Sequence, residues 1–363
     1  MWDGVIGQEQ AVDQLRRAAE RPSHAYLLAG PRGSGVLEAA RCFAATLVCP
    51  DGGCGSCNAC RRARSARHPD VIEVEPAGTF VVVDQVEEMM KEAFTSPFEA
   101  ERKVILVTEA DRMNEPAANK LLKTLEEPPA RTHFLLLSEA PDELLPTVRS
   151  RCQRIDFAAL SDADVTTALV AAGVEPEAAA AAARLASGRL DRARALTGGL
   201  AALRAAALEV AASLDGSGGR ASAGAEALQE VLADTLAGLE RDQKAEAKAL
   251  ETELTDAGYP DRLARRLRRD LEQRQQRAAR RARTDALAEI VTALEWFYRD
   301  ALVAGAGEAA AALDATASAR RIIVARTAIN EALLLEHLLV HLPPAANLSG
   351  TRPSSSAGRA VLS

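Results

Sequence analysis

The stretch HAYLLAGPRGSGVLEAA, residues 24–40, decides the fold class of this chain. It begins with the apolar run Ala25–Gly30, which has the length and composition of a buried β-strand. Helical spacing of apolar residues resumes at Val36, and three glycines lie in between: Gly30, Gly33 and Gly35. A strand that passes through a glycine-rich turn into a helix is typical of a phosphate-binding loop.

Further apolar runs indicate that this strand has parallel neighbours. They are Val71–Val74, Lys103–Ala110 and His133–Ala140, and helical patterns lie between them. Strands that alternate with helices of this length form a parallel sheet with right-handed crossovers. Residues 1–158 are therefore predicted to form an α/β domain.

The rest of the chain has a helical pattern. Short helices after Leu160 are expected to break at Gly173, at Gly188 and at the pair Gly198–Gly199. A flexible loop is predicted over Ser213–Gly224 because glycine and serine are frequent there. The predicted divisions are a small helical domain at 159–201, an all-helical domain at 202–345 and a disordered tail at 346–363.

Composition bounds the function classes. The chain has 363 residues, 48% apolar and 26% charged, which is typical of a globular protein with two or three domains. Its net charge is −7, so contact with nucleic acid would need a local basic patch. No apolar run approaches the roughly 18 residues of a membrane span, and the start MWDGVIGQEQ lacks the pattern of a secretion signal. We expect a cytoplasmic protein without membrane contact.

One segment is strongly basic. Residues Pro260–Arg283 contain ten arginines and three acidic residues. Leucines recur at every fourth position, at Leu263, Leu267 and Leu271. This spacing predicts a single solvated helix, and a DNA-binding surface is the alternative interpretation.

The glycine loop lacks the side chains that phosphate chemistry requires. In the pattern G-x-x-x-x-G-K-[ST], counted from Gly30, the lysine and the hydroxyl fall on Val36 and Leu37. Neither residue can neutralise a phosphate or bind Mg²⁺. We therefore expect no hydrolysis and no firm ATP binding at this degenerate loop, which comprises Gly30, Gly33, Gly35, Val36 and Leu37.

A second defect lies at the end of the strand that begins at Lys103. A metal-binding aspartate and a catalytic acid would follow such a strand, and this chain has Thr108 and Glu109 there. Without the metal ligand, Glu109 has no γ-phosphate chemistry to assist. The glycines alone would also suit a turn in an unrelated α/β protein. The second defect argues against that interpretation, because two parts of one nucleotide site are missing together.

Four of the six cysteines lie within twelve residues: Cys49, Cys54, Cys57 and Cys60. Closely spaced cysteines separated by glycines can surround a tetrahedral Zn²⁺ ion. The alternative, a pair of disulfides, is disfavoured in a chain without a secretion signal. Four thiolates leave no open position on the ion, so the predicted zinc site is structural. Cys42 and His68 are expected to lie outside it.

The chain resembles the AAA+ subunits of the bacterial DNA polymerase III clamp loader. The resemblance covers roughly residues 3–200 and rests on four segments: VIGQEQAVDQLRRA, HAYLLAGPRGSG, ANKLLKTLEEPP and LLPTVRSRCQRI. It implies a RecA-like AAA+ domain with a parallel sheet, a helical lid and an all-α C-terminal collar that joins five subunits. The family also carries a zinc module after the helix of its phosphate loop.

The resemblance also implies roles for single residues. In this family the arginine of a Ser-Arg-Cys triplet reaches the γ-phosphate in the ATP site of the adjacent subunit, and the matching residue here is Arg151. A surface cation beside Arg149 and Arg154 is the alternative interpretation. A second nucleotide-sensing arginine is replaced by Asp191 when the segments are aligned on Gly188, although a shift by one residue would restore Arg192.

Within the family, a complete phosphate loop and an Asp-Glu pair mark the motor subunits, gamma or tau. Their loss, with Ser-Arg-Cys retained, indicates a non-motor subunit. The implied partners are gamma or tau motor subunits and the delta subunit, with the sliding clamp and primer–template DNA reached through the complex. Two alternatives remain open: an ATP-hydrolysing AAA+ subunit, and a zinc-dependent DNA-binding module.

Overall fold

A computed structural model of the chain describes residues 1–76, 80–325 and 329–348. The chain divides into two compact units. The first unit comprises residues 1–193 and 259–267, and the second comprises residues 194–258 and those from 268 onward. The division near residue 193 lies inside the small helical domain that the sequence predicts at 159–201, so that domain stays a prediction.

The first unit contains a five-stranded parallel sheet in the order β2-β3-β4-β1-β5. The strands are β1 Ala25–Ala29, β2 Val71–Val74, β3 Lys103–Val107, β4 Thr132–Ser138 and β5 Gln153–Asp156. The four strands expected from apolar runs are confirmed. The fifth strand was not predicted, because it is a short edge strand in which only Ile155 is buried.

Helices cover both faces of this sheet. They are α1 Glu9–Glu20, α2 Val36–Val48, α3 Asn58–Arg64, α4 Val83–Ala93, α5 Glu115–Glu126 and α6 Pro146–Arg149. Three further helices follow in the chain: α7 Asp162–Ala171, α8 Pro176–Ala186 and α9 Leu190–Leu196. Leu28 and Leu135 belong to one apolar core, while Leu27 and Phe134 belong to the other. Because both faces of the central strands β1, β3 and β4 are covered, these three strands are buried along their whole length.

The second unit is helical throughout its described residues. Its elements are α10 Gly199–Ser213, α11 Gly218–Ala257, most of α12 Asp261–Val303, α13 Ala309–Ala325, α14 Glu331–Val340 and a 3₁₀ turn at Ala345–Leu348. One core unites these helices, with Leu203, Leu228, Ile290 and Leu335 among its buried members. The all-helical character expected from residue 202 onward is confirmed.

The loop predicted over Ser213–Gly224 is confined to residues 214–217, and the prediction is wrong for the rest because α11 already begins at Gly218. The hydroxyl of Ser217 caps that helix by accepting a hydrogen bond from the Arg220 amide at 3.2 Å. Gly224 is buried, and a β-carbon there would lie 2.7 Å from Val210 Cγ1. The glycine therefore serves close packing of α10 on α11 rather than flexibility.

Two other expectations meet the structure in part. Of the tail predicted at 346–363, residues up to Leu348 lie in the 3₁₀ turn with Leu348 buried, and 349–363 lie outside the described residues. The basic segment Pro260–Arg283 lies almost wholly in α12. Several of its arginines form ion pairs, such as Arg274 with Glu246 at 2.6 Å.

In the described part of the chain, no single helix could cross a membrane by length and composition, although the bent pair α9 and α10 passes that test together.

Candidate functional site

The degenerate loop joins β1 to α2. Gly30 follows β1, and its amide donates to the carbonyl of Ser138 at 3.0 Å. A β-carbon at Gly30 would lie 2.6 Å from Cβ of Phe157, which follows β5. Gly33 and Gly35 have φ of 75° and 96°, a backbone conformation that favours glycine. The glycines thus satisfy the backbone path and the packing of the sheet.

The two positions that would carry the lysine and the hydroxyl begin α2. The side chain of Val36 is buried in the core on one face of the sheet, and Leu37 packs partly buried against the same core. Neither side chain brings a charge or a hydroxyl to the loop. At these two positions the loop therefore has neither a cation for a phosphate nor an oxygen ligand for a metal.

Thr108 and Glu109 follow β3, and Ser138 is the last residue of β4. The Thr108 amide donates to the carbonyl of Val74 at 3.0 Å. The carboxylate of Glu109 lies 3.0 Å from Nε of Arg112, so it is paired within its own turn. Because β3, β4 and β1 are parallel neighbours, these residues and the loop lie together at the carboxyl ends of the strands.

Asp191, in the first turn of α9, lies directly against the loop. The Leu190 amide donates to the carbonyl of Gly33 at 3.0 Å. The Asp191 carboxylate lies 3.8 Å from Nε of Arg32 and 2.9 Å from Nη2 of Arg189. Burial opposes its ionisation, but the hydrogen bond and charge of Arg189 hold the pKa of Asp191 below its usual value. An ionised carboxylate thus stands beside the loop.

Gln8, which precedes α1, forms hydrogen bonds both to the loop and to the segment that follows β5. Its amide nitrogen donates to the carbonyls of Ser34 at 3.0 Å and Ala158 at 2.7 Å. Its amide oxygen accepts from the Ala158 amide at 3.2 Å. No local sequence signal predicts this role of Gln8, because its partner at residue 158 is 150 positions away.

Arg151 lies two residues after the single turn of α6, and its side chain is 36% exposed. Its Nη2 donates to Oε1 of Glu126 at 2.8 Å, and its Nη1 donates to the carbonyl of Thr147 at 2.9 Å. The following residue, Cys152, packs against the core, and burial raises the pKa of its thiol to about 12. Glu126 lies in the segment ANKLLKTLEEPP, whose local pattern does not predict this contact.

The four clustered cysteines form a possible metal site. Sγ atoms of Cys49, Cys54, Cys57 and Cys60 all lie within 4.8 Å of one another. The Sγ of Cys49 is 3.9 Å from that of Cys54 and 3.7 Å from that of Cys57. Four sulfurs about 2.3 Å from a tetrahedral ion are about 3.8 Å apart, so these separations fit Zn²⁺. Cys42 lies outside the group and contacts the carbonyl of Met1 at 3.3 Å.

Backbone amides stabilise negative charge on these sulfurs. The Cys57 amide donates to Sγ of Cys54 at 3.4 Å, and the Cys60 amide donates to Sγ of Cys57 at 3.3 Å. Amide hydrogen bonds from Ser56 and Cys57 lower the pKa of Cys54 to about 6. Burial raises the pKa of Cys60 above its ordinary value. Of the two thiols, Cys54 is therefore the more readily deprotonated, and a cation at this site would have to displace the proton of Cys60.

His68 takes part in a different cluster. Its Nδ1 accepts from the Asp70 amide at 3.1 Å, and its Nε2 lies 3.0 Å from Oε1 of Glu99. Burial opposes ionisation of Glu99, but His68 and Arg62 together lower the pKa of Glu99 to about 2. His68 is thus engaged with a carboxylate rather than grouped with the four sulfurs.

Residues 7–161 match the family described as "DNA polymerase III, delta subunit". The chain is 37% identical over 160 residues to DNA polymerase III subunit delta' of Bacillus subtilis, which covers 43% of this chain and 49% of that protein. It is 40% identical over 158 residues to the delta' subunit of Pseudomonas aeruginosa, which covers 42% and 48% of the two chains. Residues 7–161 are therefore similar to delta-prime subunits of DNA polymerase III.

Motor subunits are also similar to about 160 residues of this chain. The tau subunit of Bacillus subtilis is 35% identical over 162 residues, 43% of this chain and 29% of that protein. The chain matches about half the length of its delta-prime relatives. A solved gamma-subunit-related protein of Thermotoga maritima matches with a TM-score of 0.43 at 19% identity, and covers 94% of this chain and 100% of that one. The predicted fold class, an AAA+ α/β domain followed by helices, is confirmed.

Proposed function

We propose that this chain is a non-hydrolysing clamp-loader subunit that completes the ATP site of a neighbouring motor subunit. Its partners would be gamma or tau motor subunits and a delta subunit in a cytoplasmic complex. That complex would place the sliding clamp on primer–template DNA. The observation that carries the proposal is an exposed arginine in Ser-Arg-Cys, Arg151, on a domain whose own nucleotide loop lacks its cation.

The electrostatics of the loop support the absence of hydrolysis. Magnesium–triphosphate needs a cation for its phosphates and an oxygen ligand for its metal. Val36 and Leu37 give their side chains to the core instead. Asp191 places a carboxylate beside Gly33 and pairs with Arg32 and Arg189, so it competes with a phosphate for the two arginines nearest the loop. Each of these features disfavours catalysis at this loop.

The position of Arg151 supports a role in trans. A guanidinium stays charged at any physiological pH and matches the geometry of phosphate oxygens. Arg151 is partly exposed, and within the residues that the structure describes it pairs with a single carboxylate, that of Glu126. Such an exposed ion pair is weak, about 1 kcal/mol or less, so a neighbour's triphosphate can compete for the arginine.

A structural zinc ion is part of the proposal. The four sulfurs have the number and spacing of a closed tetrahedral site, with no position left for substrate. The zinc would hold the segment between α2 and α3, because Cys49 follows α2 and Cys60 lies within α3. When bound, the ion contributes to folding rather than to chemistry.

Reconstitution with motor subunits tests the proposal. We expect this chain to co-purify with gamma or tau, and to raise their DNA-stimulated ATP hydrolysis. Arg151→Ala should lower that rate without loss of assembly or zinc, while Arg154→Ala on β5 serves as a matched control. An equal rate for Arg151→Ala and the native chain would exclude the role in trans.

Two further measurements address the alternative functions. ATP hydrolysis by the isolated chain would support a motor subunit and contradict the proposal. A mobility shift of DNA by the isolated chain, abolished by chelation of zinc, would support a zinc-dependent DNA-binding module.

A further inference from the structure

Arg151 is anchored within its own subunit by acceptors from two different elements. The carboxylate of Glu126 accepts from Nη2 at 2.8 Å, and the carbonyl of Thr147 accepts from Nη1 at 2.9 Å. The hydroxyl of Ser150 lies 3.5 Å from the same Nη1. Two anchors on different nitrogens fix the plane of the guanidinium as well as its position.

Glu126 is well placed for this task because it ends a helix that belongs to the core. It is the last residue of α5, and Leu121 and Leu125 of that helix are buried. A carboxylate at the C-terminal end of a helix is unfavourable next to the partial negative charge of the helix dipole. The guanidinium of Arg151 offsets that charge, so each residue stabilises the position of the other.

We propose that Glu126 is a positioning residue for Arg151, an inference that rests on the proposed function. Arginine has five N–H groups, and the two anchors use one group on each of Nη1 and Nη2. The remaining groups stay available for phosphate oxygens of a neighbouring subunit. A guanidinium that is already oriented loses less conformational freedom when the transition state forms, so the carboxylate acts on turnover.

The strength of the pair fits this role. The side chains of Arg151 and Glu126 are 36% and 47% exposed, so water and salt screen their attraction. A triphosphate carries several negative charges and can attract the remaining N–H groups of the guanidinium while Glu126 keeps its hydrogen bond to Nη2. Glu126 therefore orients the arginine without holding it back from the phosphate.

The chain offers a matched control in Glu127, the exposed C-cap residue of α5 next to Glu126. The experiment measures DNA-stimulated ATP turnover of the reconstituted complex with Glu126→Ala, Glu126→Gln and Glu127→Ala. It also includes Arg151→Ala and the double variant with Glu126→Ala. Thermal unfolding and zinc content of each variant establish that the fold is kept.

We expect Glu126→Ala to lower kcat about threefold to fivefold, with KM for ATP changed by less than about twofold. Glu126→Gln should retain more activity than Glu126→Ala, because its amide oxygen still accepts from Nη2. High salt should reduce the difference between Glu126→Ala and the native chain. In the Arg151→Ala background, Glu126→Ala should have no further effect.

Three outcomes would overturn the inference. The first is native kcat for Glu126→Ala while Arg151→Ala is impaired, which would leave the proposed function intact. The second is an equal loss from Glu126→Ala with and without Arg151, which would mean that the carboxylate acts independently of the arginine. The third is an equal loss from Glu127→Ala. If Arg151→Ala itself has no effect, the proposed function fails as well.

Discussion

Oδ1 of Asp191 lies where a side chain on Gly33 would begin. A β-carbon built on Gly33 would be 2.1 Å from that oxygen, and φ of this glycine is 75°. The Leu190 amide donates to the carbonyl of the same glycine. The start of α9 is thus in direct contact with the degenerate loop, and a carboxylate takes the space beside it.

This contact predicts the effect of Gly33→Ala. The alanine would meet both backbone strain at positive φ, about 1–2 kcal/mol, and overlap with Asp191, about 1–3 kcal/mol. Gly52→Ala is the matched control, because Gly52 has φ of 64° but no neighbour within 4 Å of an added β-carbon. Denaturant unfolding should show the larger loss of stability for Gly33→Ala. Equal losses would mean that the contact with Asp191 has no energetic weight.

Gln8→Ala should destabilise the first unit. The substitution leaves the Ser34 and Ala158 carbonyls and the Ala158 amide without their partner. Unmet polar groups at a buried position cost about 1–3 kcal/mol. Gln10→Ala, at an exposed position in the same helical segment, should have little effect. Thermal unfolding of the two variants measures the difference, and a similar melting temperature for both would contradict the prediction.

Cys54→Ser should remove the zinc ion. The native chain is expected to hold about one zinc ion through its four thiolates, and three ligands with a hydroxyl bind it far less tightly. Cys42→Ser should keep the ion, since Cys42 lies outside the cluster. Metal analysis after gel filtration gives the stoichiometry. Retention of zinc by Cys54→Ser would exclude this residue as a ligand.

Zinc affinity should rise with pH. Cys54, with its pKa near 6, is largely a thiolate at neutral pH, whereas Cys60 has a raised pKa and must lose a proton to bind the ion. Protons therefore compete with zinc as pH falls, first at Cys60 and then, near pH 6, at Cys54 as well. Competition with a chromophoric chelator between about pH 5.5 and about pH 8.5 would measure this, because that range spans the pKa of Cys54 near 6. Affinity independent of pH would contradict the assignment.

The sequence predicted those elements whose signal is local. The apolar run of β1, the glycines after it and the helical spacing of α2 are all contained in residues 24–40. The cysteine cluster was predicted equally well, because its four members lie within twelve residues. Strand β5 was not predicted because half-exposed edge strands lack a continuous apolar run.

Contacts between distant residues could not be predicted in this way. Glu126 and Arg151 are 25 positions apart, and Gln8 and Ala158 are 150 apart. Their meeting depends on the order of the strands, which composition and periodicity do not encode. The loop at Ser213–Gly224 failed for a related reason, because Gly224 serves the close approach of Val210, and a single-sequence pattern treats it as a helix breaker.

The contact of Gly30 with Phe157 shows that a glycine of this loop can be required for packing as well as for phosphate binding, two requirements that a motif search does not distinguish. A β-carbon at Gly30 would lie only 2.6 Å from Cβ of Phe157, the residue after β5. The packing of Phe157 therefore requires a glycine here whether or not phosphate is bound. A lysine at position 36 would have no such packing role, so its loss leaves the path of the backbone unchanged. Glycine spacing can therefore outlive nucleotide chemistry, and on its own it overstates how many chains of this architecture are working ATPases.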